Sequence, residues 1–212
     1  MSESSTLKSS SKTSDKVFFG LPNVYVKRGS HIAHFFRGEP ERLTVLAPFI
    51  QAGLAADQCI LVTQPPSSNV ILDNLRNSGV DVDTAIASGQ LLISNGGSDV
   101  EEMSLMMDAT IAKARSSGRD LIRIAGDMTW SLGKLASAEE LLEWEAFYDR
   151  HVAQRASFVA LCQYDHTRFG GSIIMSALQT HPLSIIGSIV QENPFYRDPD
   201  EVLRELAEAR RS

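Results

Sequence analysis

The sequence has few of the features that mark several large classes of protein. Its 212 residues include two cysteines, Cys59 and Cys162, and neither belongs to a CxxC pair. Both lie in apolar, strand-like runs, where a free cysteine behaves as a small buried side chain. A disulfide framework and a zinc-finger spacing are therefore both missing, and we expect two reduced core residues.

Long apolar runs and a secretory signal are also missing. No uninterrupted apolar stretch reaches the roughly 18 residues that a membrane-spanning helix needs. The chain does not begin with the charged and then apolar pattern of a signal peptide. We therefore expect a cytoplasmic protein with no membrane partner.

Positive charge is scarce as well. The chain carries 20 lysines and arginines against 26 aspartates and glutamates, a formal net charge of -6. A protein that binds nucleic acid needs a basic face to neutralise phosphates, so no direct nucleic-acid partner is expected. The hydrophobic fraction of 43% is that of a globular chain, and the length suits one domain.

The glycine-rich loops that bind nucleotides are absent too. A phosphate-binding loop needs several glycines, a lysine and a hydroxyl between the first strand and the first helix. That segment has one glycine here, Gly38, and its two glutamates, Glu39 and Glu41, would repel phosphate. No Gly-x-Gly-x-x-Gly follows any expected strand. We therefore expect a degraded phosphate loop and predict no cofactor.

What the chain does have is a regular alternation of strand-like apolar runs and segments with helical spacing. The runs are 31–36, 59–63, 90–94, 120–127 and 158–162. Either a short hairpin or a segment packed along the sheet edge is expected over 17–27, and a closing hairpin or edge strand over 183–190. Alternation of this kind implies βαβ units. It predicts an α/β fold with three layers, in which helices cover both faces of a mostly parallel sheet.

Composition divides the chain into three expected regions. Residues 1–16 are mainly serine, lysine and threonine and predict a disordered tail. Residues 17–200 predict one folded domain, and residues 201–212 belong to a charged C-terminal helix.

The expected site lies at the end of the run from Asp120 to Trp130. In open α/β sheets, ligands bind beyond the carboxyl ends of the strands. Polar and aromatic side chains collect at these ends, and we predict that several of them bind a ligand. They are His31, Asp127, Trp130, Gln163, Tyr164 and Asp165. Because side chains alternate along a strand, His31 and His34 are expected on opposite faces.

These residues leave several chemistries open. Three histidines and two carboxylates could make a metal site, but no pair has a diagnostic ligand spacing, and hydrogen-bonded structural histidines are the simpler interpretation. Acid–base catalysis by Asp127 or Asp165 with a histidine lacks an evident nucleophile, and Gly-x-Ser-x-Gly is absent. Trp130 is either a core aromatic or the flat wall of a binding pocket.

Taken together, several short motifs resemble the MEDS (methanogen/methylotroph sensory) domain family, in the same order and over about residues 28–200. They are HIAHFF at 31–36, LAPF at 46–49, AGL at 52–54, ASGQL at 87–91, GDMTW at 126–130, Glu145, CQYD at 162–165, His181-Pro182 and NPFY at 193–196. The resemblance implies a RecA/KaiC-like fold and a sensory role in the recognition of small hydrocarbon derivatives. Further candidates, expected to support the ligand-binding residues, are Arg37, Glu145, His181 and Tyr196.

Members of the family are often joined to DNA-binding or histidine-kinase modules, and neither fits in the remaining segments of this chain. The resemblance therefore implies either a stand-alone sensor that signals to a separate protein partner, a kinase or a transcription regulator, or a chain that is one piece of a signalling system. Two alternatives stay open. One is an enzyme, or a protein that binds a nucleotide or metal, using the same aspartates and histidines. The other is an interaction domain with a vestigial pocket.

Overall fold

The computed structural model describes residues 15–97, 99–133, 135, 137–155 and 157–211. The tail expected over residues 1–16 lies outside the described residues except for Asp15 and Lys16. Within the described part, no helix combines the length and the apolar character needed to cross a bilayer.

A seven-stranded sheet forms the centre of the described chain. Its strands are β3 (Ser30–Phe36), β4 (Gln58–Val62), β5 (Leu91–Ser94), β6 (Ile122–Asp127), β7 (Phe158–Asp165), β8 (Leu183–Ile186) and β9 (Ile189–Glu192), in the order β5-β4-β6-β7-β3-β8-β9. All neighbours are parallel except β8 and β9, which form the closing hairpin predicted from the sequence. Of the two alternatives expected over 17–27, the structure has the hairpin, formed by β1 (Lys16–Phe18) and β2 (Tyr25–Lys27).

Helices cover both faces of the sheet and confirm the predicted three-layer α/β fold. They are α1 (Gly38–Leu54), α2 (Ser67–Asn77), α3 (Val82–Ala87), α4 (Val100–Arg115), α5 (Ala138–Tyr148), α6 (Gly171–Thr180) and α7 (Pro199–Ala209). One apolar core joins the sheet to α1, α2, α3 and the β1–β2 hairpin. The other joins it to α4, α5 and α6. We call these the α1 face and the α5 face.

Two short irregular turns position side chains for the site. A 3₁₀ turn, Met128–Ser131, follows β6 directly and carries Trp130. The periodicity predicts one α-helix from about 138 to 154, but the α-helix ends at Tyr148 and continues as a π-helical turn, Asp149–Ala153. The wider turn brings the fully buried Asp149 carboxylate against β3, at His31. π turns of this kind often occur at functional sites.

The alternation of side chains along β3 separates its two histidines, as predicted. His31 shares a face with Ala33 and points toward the α5 face, whereas His34 shares a face with Ile32 and points toward the α1 face. Both are fully buried. The same alternation in β6 and β7 distributes the candidate residues between two separate sites.

Candidate functional site

The first polar cluster lies on the α1 face, where β6 and β7 end and α1 begins. We call it the Arg42 network. The Arg42 guanidinium donates to Gln163 Oε1 at 3.1 and 2.9 Å and lies 3.2 Å from Asp127 Oδ2. It also donates to Glu39 Oε1 at 3.2 Å, and Thr63 donates to Asp127 Oδ2 at 3.3 Å. Arg42 is only 1% exposed, so this arginine is held almost wholly inside the protein.

The Arg42 network lies beside the segment that we expect to be a degraded phosphate loop. In nucleotide-binding α/β proteins, the N–H groups at the start of this helix bind phosphate. Here the carboxylates of Glu39 and Glu41 lie in the first turn of α1, and Glu41 Oε2 accepts a hydrogen bond from the Arg37 N–H at 2.9 Å. The Arg42–Asp127 ion pair fills the adjoining strand end. Negative charge and an internal ion pair thus stand where a phosphate would need positive charge.

The second cluster lies on the α5 face and is entirely buried. We call it the histidine cluster: His31 from β3, Glu145 from α5, Cys162 from β7 and His181 just after α6. One ligand-type atom from each residue lies within 4.8 Å of the other three. His31 Nε2 is 3.4 Å from Cys162 Sγ and 3.6 Å from Glu145 Oε2, and His181 Nε2 is 3.8 Å from that same oxygen.

Hydrogen bonds to the outer atoms fix the orientation of the histidine cluster. His31 Nδ1 is 3.1 Å from Asp149 Oδ1, and His181 Nδ1 is 2.7 Å from the carbonyl oxygen of Ala177. Because a carboxylate and a carbonyl only accept, both Nδ1 atoms carry protons, and in the neutral tautomer each Nε2 turns a lone pair toward the cluster. The Tyr164 hydroxyl donates to Glu145 Oε1, which leaves Oε2 turned inward.

Burial dominates the electrostatics of the cluster. It raises the pKa of Glu145 to about 7, although His31 and the Tyr164 hydrogen bond act in the opposite direction. It also raises the pKa of the Cys162 thiol and lowers the pKa of His181, so both groups are neutral near pH 7. Among the described residues, Glu145 Oε2 and His181 Nε2 have no hydrogen-bond partner.

A small apolar cavity adjoins the histidine cluster between the sheet and helices α4 and α5. Its volume is about 20 Å³, which is room for a single water molecule. The walls are almost wholly apolar and include Val62, Met103, Met107, Ile124, Met128, Trp130, Trp144 and Tyr148. Cys162 lines the cavity and belongs to the histidine cluster as well, so the two sites share one side chain.

The residues predicted from the sequence are thus divided between two faces. On the α5 face, Trp130 lines the cavity. His31, Glu145 and His181 belong to the histidine cluster, and Tyr164 donates a hydrogen bond to it. The Tyr196 hydroxyl donates to Asp149 Oδ2 at 3.0 Å, and Asp149 connects it to His31. On the α1 face, Asp127 and Gln163 bind Arg42. Asp165 caps its own turn by accepting from Thr167, and the Arg37 side chain is exposed.

Sequence reasoning missed three residues. Arg42 could have been found, because it lies on the buried stripe of α1, one turn before Leu46. Cys162 was expected to be an ordinary core residue. Its proximity to His31 depends on the pairing of β3 with β7, which the sequence around Cys162 does not reveal. Asp149 falls in a segment with α-helical periodicity, which hides the π turn.

Comparisons with known proteins agree with this architecture. A family model described as the methanogen/methylotroph, DcmR sensory domain matches residues 30–182. The transcriptional repressor DcmR of Methylorubrum extorquens is 34% identical over 152 residues, which cover 71% of this chain and 57% of the repressor. The match therefore spans less than two thirds of that relative.

Solved structures of low identity share the fold. A KaiC-like protein from Pyrococcus horikoshii superposes with a TM-score of 0.59 at 12% identity, covering 80% of this chain and 78% of that one. The flagellar accessory protein FlaH from Methanocaldococcus jannaschii gives a TM-score of 0.54 at 12% identity, covering 77% and 75%. These structural matches show a KaiC-like α/β fold. The two sequence matches identify the family. The chain belongs to the MEDS family of sensory domains.

Proposed function

We propose that this domain senses a small, largely apolar molecule that enters the cavity between the sheet and helices α4 and α5. The cavity itself is the observation that carries the proposal. It begins at the carboxyl end of β6, because Met128 and Trp130 directly follow that strand. That is where an open α/β sheet usually binds ligands. Membership of a sensory-domain family and the similarity to a transcriptional repressor support a regulatory role.

The lining of the cavity favours an apolar ligand that has to displace side chains. At about 20 Å³ the cavity is too small for most organic molecules. Three of its walls are methionines, Met103, Met107 and Met128, whose unbranched side chains rearrange readily. Short halogenated or oxygenated hydrocarbons fit this character. A ligand that binds the opened state more tightly than the closed state would shift the population toward it.

Aromatic contacts connect the cavity to the surface of the domain. Trp130 meets Trp144 of α5 edge to face at 5.2 Å, and Trp144 stacks on Tyr148 at 5.4 Å. On its outer side α5 carries Glu143, which is paired with Arg210 just beyond α7. A ligand that moves Trp130 would therefore move α5 and the surface it forms with α7. We propose that this surface signals to a separate protein, a transcription regulator or a kinase.

The proposal assigns different roles to the residues predicted from the sequence. Trp130 would contact the ligand directly. His31 and Tyr164 lie behind Cys162 and would act through it, whereas Asp127, Gln163 and Asp165 lie away from the cavity and would support the fold of the strand ends.

A thermal-shift screen of short halogenated and oxygenated hydrocarbons tests the proposal. Gly126 lines the cavity in an ordinary strand conformation, and a Cβ there would meet nothing closer than Met128 Sδ at 3.9 Å. Gly126→Val therefore places its Cβ without a clash beside Met128, and its two methyl groups would compete with a ligand for the cavity. Gly171→Ala is the control, because its Cβ would meet nothing within 4 Å at the start of α6.

The proposal predicts that at least one compound raises the unfolding midpoint of the parent and of Gly171→Ala. The same compound should leave Gly126→Val unchanged, because the added methyl groups occupy the cavity. An equal shift in all three proteins would place the binding elsewhere and contradict the proposal. A shift with magnesium nucleotide alone would favour the enzyme alternative.

A further inference from the structure

The histidine cluster combines four side chains that rarely meet in a protein core without a common partner. His31, Glu145, Cys162 and His181 are all between 0% and 5% exposed, and they come from four separate elements. Imidazole, thiolate and carboxylate are the side chains that bind zinc. We propose that the cluster binds one zinc ion through His31 Nε2, His181 Nε2, Glu145 Oε2 and Cys162 Sγ. This inference does not depend on the apolar ligand proposed above.

Three of the six separations among the four atoms are close to those of tetrahedral coordination. Zinc bonds of about 2.0–2.1 Å to nitrogen or oxygen and about 2.3 Å to sulfur separate neighbouring ligand atoms by about 3.3–3.6 Å. The measured separations are 3.4 Å from His31 Nε2 to Cys162 Sγ, 3.6 Å from His31 Nε2 to Glu145 Oε2, and 3.8 Å from His181 Nε2 to Glu145 Oε2. The other three separations are at most 4.8 Å, so the four side chains would draw closer together around the ion.

The outer hydrogen bonds prepare both histidines for a metal. Histidines that bind metals usually donate their other N–H to a carboxylate or a backbone carbonyl, which fixes the tautomer and the ring. Here His31 Nδ1 faces the Asp149 carboxylate at 3.1 Å, and His181 Nδ1 faces the Ala177 carbonyl at 2.7 Å. In this tautomer both Nε2 atoms turn their lone pairs into the cluster.

Two atoms of the cluster have unmet bonding capacity. Glu145 Oε2 and His181 Nε2 are buried without a hydrogen-bond partner among the described residues. Leaving a buried polar atom unpaired is unfavourable, and more so for a carboxylate. Both atoms are inward-facing acceptors, and they lie 3.8 Å apart. A cation between them would satisfy both acceptors at once.

Charge and ligand softness favour zinc over magnesium or calcium. Zinc binding would displace the proton of the Cys162 thiol to solvent, and the resulting thiolate and the Glu145 carboxylate together would supply the two negative charges that neutralise a divalent ion. Magnesium and calcium prefer sites made only of oxygen, whereas thiolate and imidazole suit zinc. Four protein ligands close the coordination sphere, which is typical of a structural site. The ion would join β3 and β7 to α5 and the end of α6.

Direct metal analysis tests the inference. The purified protein would be stripped with a chelator, incubated with zinc chloride, desalted and analysed by mass spectrometry for metal content. We expect about one zinc per chain and a raised unfolding midpoint, since zinc binds the folded state. Cobalt(II) would serve as a coloured substitute, and the cobalt protein should show thiolate-to-metal charge-transfer absorption.

Two nearly isosteric variants, each with a matched control, identify the ligands. Cys162→Ser and Glu145→Gln should each weaken zinc binding by at least roughly 100-fold, because each replaces a charged ligand. Cys59→Ser alters the buried cysteine on the α1 face, and Glu143→Gln alters an exposed carboxylate on the same helix as Glu145. Both controls should bind zinc like the parent. The cobalt absorption should vanish in Cys162→Ser and persist in Cys59→Ser.

The inference fails if the parent takes up no zinc at micromolar free metal, because the cluster is then a buried hydrogen-bond network only. It also fails if the cobalt protein lacks thiolate absorption, or if Cys59→Ser loses it. The cobalt spectrum of the parent decides the matter even if Cys162→Ser or Glu145→Gln fails to fold.

Discussion

His31 Nε2 lies 3.4 Å from Cys162 Sγ, and the same cysteine forms part of the wall of the apolar cavity. The two side chains lie on the neighbouring parallel strands β3 and β7, where His31 pairs with Ala160. Cys162 is therefore the one described side chain of the histidine cluster that also faces the cavity. A change in the histidine cluster that moves Cys162 would therefore alter the cavity, and a ligand in the cavity that moves Cys162 would alter the cluster.

Removing Arg42 should strongly destabilise the domain. Arg42→Ala would leave the buried Asp127 carboxylate without its ion-pair partner, and breaking one side of a buried pair costs about 3–5 kcal/mol. Urea unfolding followed by circular dichroism measures the loss. Arg76→Ala is the control, because its ion pairs with Asp73 and Asp83 are exposed and should contribute little. Equal losses in the two variants would contradict the account.

The stability of the domain should fall in mild acid because of His34. Burial, and then the nearby Arg42, lowers the pKa of His34 from 6.5 to about 3. Below pH 6.5, His34 binds a proton in the unfolded chain but stays neutral in the folded protein. The contribution of His34 is thus complete above pH 6.5 and decreases as the pH falls toward 3, by about 2 kcal/mol at pH 5.

His34→Leu isolates the contribution of His34 to the pH dependence, because it replaces the titrating group with an apolar side chain that can fill the same place in the core. We expect the free energy of unfolding of the variant to decrease less between pH 7 and pH 5 than that of the parent. Urea titrations at both pH values measure the difference. Parallel losses in parent and variant would show that His34 is protonated in the folded state.

Trp130→Ala should destabilise the domain as well as alter the cavity. Trp130 is 5% exposed and packs edge to face on Trp144, so truncating it costs about 3–5 kcal/mol. Phe147→Ala removes an aromatic ring that is 50% exposed on α5 and should cost much less. Denaturant unfolding of the two variants gives the comparison. If the two costs were similar, Trp130 would not be a packed wall of the cavity.

The Tyr164 hydroxyl should stabilise the folded state through Glu145. Tyr164→Phe removes the donor to Glu145 Oε1 and leaves a fully buried carboxyl group with less support, at a cost of about 1–3 kcal/mol. Tyr25→Phe, at a side chain that is 60% exposed, is the matched control and should be nearly neutral. The unfolding free energies of the two variants check this, and a neutral Tyr164→Phe would argue against the hydrogen bond.

Much of the fold could be predicted because buried parallel strands are continuous apolar runs that end abruptly. The run at β6 ends at Asp127, and the polar segment after it is the 3₁₀ turn that carries Trp130. The order of the strands could not be read in this way. Whether β3 pairs with β7 depends on packing across the whole domain.

The histidine cluster could not be predicted, for the same reason. His31 and His181 are 150 positions apart and meet because β8, which begins two residues after His181, pairs in parallel with β3. Alternation along the strands also divides residues that the sequence places together. Gln163 faces Arg42, whereas its neighbours Cys162 and Tyr164 face the histidine cluster.

The most direct test of the sensory cavity is to locate a bound molecule. Crystals of the protein exposed to dibromomethane would be measured at the bromine absorption edge, so that anomalous scattering marks the halogen. The account predicts a bromine peak between Trp130 and Met107, within reach of Cys162, in crystals of the parent and none there in Gly126→Val. Bromine found only on the surface of the parent, with the cavity closed, would contradict it.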